Sequence, residues 1–319
     1  MNRAATLGAF AMAVAGALYA AVPQRQLIVT QQDHTLVDDC EHFHTHTLTS
    51  FPSERHAREQ RELSLGAAEK LRVRAGEQGG ISIRGWDRPG ARLTVCKYAA
   101  ALTDAQAQRL LDGVNVHERG QDIFASGPEM NERQAWWVHM VLNVPRRATL
   151  DLASANGGIA IRNMNGRITA HATNGGISLA SSTGDARLFT ENGGISLDRI
   201  SGRTEATTEN GSITLAEGGG EIALRTGRGG ISIHLSDSWH GPGLDAHSAD
   251  GELRLHVRDK LPATIEAKTS DDRGIICNLK SCSDGLGSWG PDRKVLRIGR
   301  ATPIIRLSTL HAPITIEMP

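Results

Sequence analysis

The densest cluster of metal-ligating side chains in the sequence is Cys40-Glu41-His42-Phe43-His44-Thr45-His46. Alternate side chains of an extended strand share a face, so Cys40, His42, His44 and His46 would point the same way. Imidazole and thiolate suit zinc or copper. Consecutive residues on one face lie ~6–7 Å apart, however, so they cannot all close on one ion without a bend. The expectation is a solvated polar segment, with His42, His44 and His46 kept as metal candidates. Glu191 and Glu209 stand 18 residues apart, and two stacked carboxylates are the raw material of glycoside hydrolysis. Both precede an Asn-Gly corner, where an exposed charge is ordinary. Their equivalents in neighbouring repeats are Thr173 and Gly227, which supply no further acid. No nucleophile elbow, phosphate loop or dinucleotide fingerprint is present. Trp86, Trp239 and Trp289 sit in Gly/Pro turns. Such residues either plug a core end or mark a contact site.

Four cysteines, Cys40, Cys96, Cys277 and Cys282, imply two disulfides in an exported chain, with three possible connectivities. Cys277 and Cys282 flank a short loop and form the local pair; Cys40 with Cys96 follows by elimination. Met1-Asn2-Arg3 followed by an uncharged run over Ala4–Val22 reads as a secretory leader or a retained anchor. Ala15-Gly16-Ala17 offers a cleavage site. Lys and Arg total 35, as do Asp and Glu, which argues against a nucleic-acid binder and against a polybasic membrane-surface protein.

These residues are carried by a repeat. Asn-Gly recurs at Asn156, Asn174, Asn192 and Asn210, and each is followed by an apolar-polar-apolar triplet such as Ile177-Ser178-Leu179. Half a period later Gly166, Gly184, Gly202 and Gly220 open a second triplet. Through these four units every inward position except Thr204 is apolar. Period-two alternation bounded by Gly or Asn-Gly is a strand signal, so 18 residues make one coil with two short strands. A lone coil buries too little to fold, and stacked coils share parallel ladders and an interior. Right-handed winding is the default for parallel crossovers. The expected fold is therefore an all-β, right-handed parallel β-solenoid with a small α-containing N-terminal cap. Asn156, Asn174, Asn192 and Asn210 form a side-chain ladder at one corner, and Ser154, Ala172, Thr190, Thr208, Thr226 and Ser248, two places before the corner, a row of hydroxyls broken at Ala172. Arg228 and Asp250 interrupt the asparagines, so the ladder is expected to stop at Asn210. Calcium-binding β-rolls need an aspartate in each repeat, where this chain has Ile161, Leu179, Leu197 and Leu215.

Residues 102–111 switch to helical spacing, with Thr103 or Asp104 as N-cap and Gly113 as stop. Further strands are expected at 79–83, 93–95, 114–117, 122–125, 136–144 and 149–153. Behind the repeat they are expected at 265–267, 295–298, 304–307 and 314–316. The resulting organisation is a leader or anchor over 1–22, a partly irregular segment over 23–60, and one solenoid domain over 61–319 with regular coils at 150–257. The order Leu110-Leu111-Asp112-Gly113-Val114, Trp136-Trp137-Val138, Val144-Pro145-Arg146, Leu150-Asp151-Leu152 and then Asn-Gly-Gly-Ile repeats resembles the bacterial putative-adhesin family of β-strand repeats. The resemblance covers roughly 70–257. It implies an exported, non-catalytic β-solenoid of no assigned biochemical function, and it supplies no catalytic residues.

The sequence thus points to an exported, adhesin-like interaction protein of the cell envelope, periplasmic or extracellular, that uses no cofactor. Its partner is a protein or glycan of the envelope, and it meets a membrane only through residues 4–22 if these are retained. The alternatives are a polysaccharide-acting β-helix enzyme and an exported metal-binding protein. The flat row Ala160, Ser178, Ser196, Thr214 and Ser232 would pack against a sheet, a partner or the chain's own N-terminal segment.

Overall fold

The computed structural model describes Cys40 and residues 55–319, apart from 132, 236–238, 240, 260 and 285. The expected leader and the candidates His42, His44 and His46 lie outside the described residues. In the front part, β1 (Arg55–Ala67), β2 (Lys70–Arg74), β3 (Gly79–Trp86) and β4 (Gly90–Ala101) precede the helix α1 (Asp104–Asp112). Then come β5 (Asn115–Arg119), β6 (Asp122–Ser126) and β7 (Ala135–Pro145).

The regular part pairs β8 (Thr149–Asn156) with β9 (Ile159–Arg162), β10 (Ile168–Asn174) with β11 (Ile177–Thr183), and β12 (Ala186–Asn192) with β13 (Ile195–Ser201). It continues with β14 (Arg203–Asn210) and β15 (Ile213–Ala216), β16 (Glu221–Arg228) and β17 (Ile231–His234), and β18 (Gly243–Ser248) and β19 (Leu253–His256). The rear holds β20 (Thr264–Thr269), β21 (Ile275–Cys277), β22 (Gly287–Trp289), β23 (Val295–Ile298), β24 (Ile304–Thr309) and β25 (Ile314–Glu317).

The two strands of each coil go to different sheets, one 12-stranded and one 13-stranded. Identical residues stack because the repeat length is constant. Ile159, Ile177, Ile195, Ile213 and Ile231 form one parallel, in-register column. Each is at most 1% exposed, and a fully buried isoleucine contributes about 1.5–3 kcal/mol. The opposing column of Ile168, Ala186, Thr204, Ile222 and Leu244 is equally buried. The fold is the parallel β-solenoid the repeat implies.

A third inward row was not visible in the triplets. Asn163, Ser181, Arg199 and Glu217 all have positive φ, a conformation that costs ordinary residues about 1–2 kcal/mol. Each slips the alternation by one position. Met164, Ser182 and Ile200 therefore turn into the core.

The helix forms where expected. Thr103 Oγ1 accepts from the Gln106 N–H, Gly113 closes the C-terminus, and Ala107, Leu110 and Leu111 are buried. Within the segment expected to be partly irregular, β1 starts at Arg55 and pairs antiparallel with β4 along its length. Its signal was hidden because β1 is an edge strand of mostly exposed, charged residues, with no apolar alternation to read.

Both ends interlock. At the front, β2 and β3 lie between the β6–β7 coil and the β8–β9 coil, so an earlier segment sits inside a later one. At the rear, β24 and β25 slot between β18–β19 and β20–β21. Disulfides join Cys40 to Cys96 and Cys277 to Cys282, with Cα–Cα distances of 5.3 and 6.3 Å. Cys40 packs with Cys96 and Val141. Among the described residues no helix is long and apolar enough to cross a membrane.

Candidate functional site

The corner that follows the first strand of each coil is built from three adjacent columns. Innermost are the hydroxyls. Thr190, Thr208 and Thr226 each donate to the carbonyl of a corner glycine, Gly175, Gly193 and Gly211, at 2.8 Å. Ser248 does the same to Gly229 at 3.0 Å. These hydroxyls satisfy corner carbonyls that the strand ladders leave unpaired, as buried acceptors require.

Outermost is the asparagine column. Asn156 donates to the Glu77 carbonyl, and the side chains of Asn174, Asn192 and Asn210 each donate Nδ2–H to the preceding Oδ1 at 2.8–2.9 Å. Such a ladder ends on a free amide oxygen. Arg228, which has donors only, occupies the next position and reaches Asn210 Oδ1 at 3.3 Å. In the following coil Asp250 pairs with His311 Nδ1 at 2.7 Å.

Between these columns runs the row Glu191, Glu209, Gly227, Ala249. Two coils in succession drop the side chain there, and the surface sinks into an open concavity of about 500 Å³. Glu209 closes one end. Thr207, Arg225 and His247, in register on β14, β16 and β18, form one wall. Asn210, Arg228 and Asp250 form the other. His247, which lines the concavity, has its ring anchored by a hydrogen bond between Nδ1 and Ser308 Oγ at 2.9 Å.

The charges around this groove differ from those elsewhere on the sheet. Arg187 and Arg203 both reach Glu205, and Arg297 and Arg306 both reach Glu266. Arg225 and Arg228 have no carboxylate within 4.0 Å among the described residues, and neither does Glu209 have a cation there.

The structure separates the other residues singled out from the sequence. Glu191 lies 3.8 Å from His171, outside the groove that Glu209 lines. Trp86 donates Nε1–H to the Gly90 carbonyl and carries Arg88 over its ring at 5.0 Å. Trp289, at the other end of the molecule, carries Arg293 at 4.6 Å. Trp239 is 5% exposed and its ring belongs to the core. The three therefore form no common surface.

A second polar cluster stacks the rings of His234 and His256 at 4.1 Å, with His256 Nδ1 3.6 Å from Glu317 Oε1. Burial first, and then the neighbouring His256, hold the His234 pKa below its ordinary value. Among the described residues no group of three or more His, Cys, Asp or Glu is arranged to hold a metal ion.

Residues 146–275 match the Toastrack DUF4097 family. No curated protein matches the chain. A structure from Parabacteroides distasonis ATCC 8503, described as a putative lipid binding protein, is similar at 11% identity and a TM-score of 0.46, covering 82% of this chain and 96% of that one. A putative adhesin from Parabacteroides merdae ATCC 43184 is similar at 9% identity, with the same TM-score and coverage. Another from Bacteroides fragilis NCTC 9343 reaches 13% identity and a TM-score of 0.36, over 82% of this chain and 97% of that one.

Proposed function

We propose, from the match of residues 146–275 to the Toastrack DUF4097 family and from the groove, that the chain acts as an exported, non-catalytic, adhesin-like protein of the cell envelope. The surface that meets the partner is the groove between the Arg225 and Arg228 columns. The observation that carries this reading is the groove itself: a polar depression set in a laddered face and lined by Arg225, Arg228 and Glu209, which have no oppositely charged partner within 4.0 Å among the described residues. Two disulfides fit an oxidising compartment. Hydrolysis of a glycan would need an acid and a base facing each other. Asp250 is instead tied to His311, which leaves Glu209 as the lone unpaired carboxylate of the lining.

The full chain immobilised through its C-terminus should retain envelope material from solubilised cells, and Ala249→Phe, which fills the groove floor, should abolish retention. Incubation with envelope polysaccharides should release no reducing ends. Release of reducing ends that Glu209→Gln removes would replace this reading with the enzyme.

A further inference from the structure

We infer that the groove takes an acidic saccharide, with Arg225, Arg228 and His247 holding a uronate carboxylate and Glu209 accepting hydrogen bonds from adjacent hydroxyls. This rests on the groove being the binding surface. Two guanidiniums of one strand converge on it without a carboxylate partner among the described residues, although acidic residues neutralise arginines elsewhere on the same sheet. Guanidinium donors match a carboxylate in a planar, two-pronged geometry. His247 stands beside Arg225 on the next strand, ~4.8 Å away, and lines the same wall.

The remaining chemistry narrows the ligand. Glu209 lines the same concavity and would repel a bare polyanion, but a sugar carries hydroxyl donors alongside its acid group. No tryptophan, tyrosine or phenylalanine is among the lining residues, so the broad stacking platform that commonly holds neutral sugars is missing among the described residues, and charge must supply the affinity. Apart from Gly227 and Ala249 on the floor, the lining residues are polar or charged, with no aliphatic channel for an acyl chain among the described residues. The volume lies within the ~300–1,000 Å³ of small-ligand sites, and the open ends leave room for a polymer to continue.

The test is calorimetric titration of the full chain with galacturonate, glucuronate and mannuronate trisaccharides, with their methyl esters, and with phosphatidylglycerol vesicles. At least one trisaccharide should bind, its methyl ester at least tenfold more weakly, and 0.5 M salt should weaken it several-fold. Arg225→Gln should cost at least tenfold without lowering the melting temperature, because Arg225 makes no side-chain hydrogen bond or ion pair among the described residues. Glu209→Gln should weaken binding several-fold, where a purely electrostatic site would tighten. Equal binding of acid and ester, tightening by Glu209→Gln, binding of the vesicles alone, or no binding of any acid overturns the inference. If envelope material is still retained in a manner that Ala249→Phe abolishes, the groove reading survives that failure. If Ala249→Phe leaves retention unchanged, the groove reading falls as well.

Discussion

Within the polar columns of this molecule, position in the stack decides what a side chain does. Asn192 is one rung of a ladder, whereas Arg228, at the equivalent place two coils on, terminates it and faces the groove. The ladder was legible because four asparagines share a step. The groove was not, because Gly227 and Ala249 read as ordinary small corner residues, and unpaired arginines look the same in sequence as paired ones. His234 makes a prediction of its own. Its lowered pKa means that the unfolded chain binds a proton that the folded chain resists. Stability should therefore fall as pH drops from about 6.5, the value of a free histidine. Hydrogen bonds from Arg254 and Arg273 hold Glu252 and Asp271 below their ordinary values, so the stability these carboxylates lend persists at neutral pH and is lost only as pH falls well into the acid range. Wild type should lose more melting temperature between pH 7 and 5 than His234→Asn does; equal losses would remove His234 as the cause.

At the scale of the element, each coil is set by how closely its corners approach. A Cβ on Gly193 would lie 2.2 Å from the Gly175 carbonyl oxygen, whereas one on Gly194 would meet nothing closer than 3.2 Å. Gly193→Ala must push two coils apart, and overpacking of this kind costs about 1–3 kcal/mol or more. Gly194→Ala should cost less, because the Ser212 carbonyl need give by only a few tenths of an ångström. Urea unfolding of the two variants separates them, and similar midpoints would contradict the stacked corner. The paired glycines were plain in the sequence, but their unequal roles follow only from which one faces the coil below. The left-handed column Asn163, Ser181, Arg199 and Glu217 was also invisible, since only its asparagine belongs to a residue type that favours such a backbone.

For the whole molecule, the regular coils obey the period and were readable from it, but the order of the ends was not. A period states which residues are equivalent; it does not state which coil lies next to which. The rear strands were located in the sequence, yet nothing in their pattern says that β24 and β25 precede β20 and β21 in the stack. That arrangement makes the last strands of the described chain internal. It also leaves β21 and β22 as the terminal strands of the two sheets, where the Cys277–Cys282 bridge and its loop lie.

Stacking in register, with interlocked ends, positions the groove, and distances between spin labels measure it directly. Ser178 would be paired in turn with Arg254, Thr315 and Ile276, all of them outward residues of one row. At ~4.8 Å per coil the backbone separations should be about 19, 24 and 29 Å. Thr315 should therefore lie nearer than Ile276 although it comes later in the chain. Separations that do not grow by one coil spacing at each step, or Ile276 falling nearer than Thr315, would contradict the account.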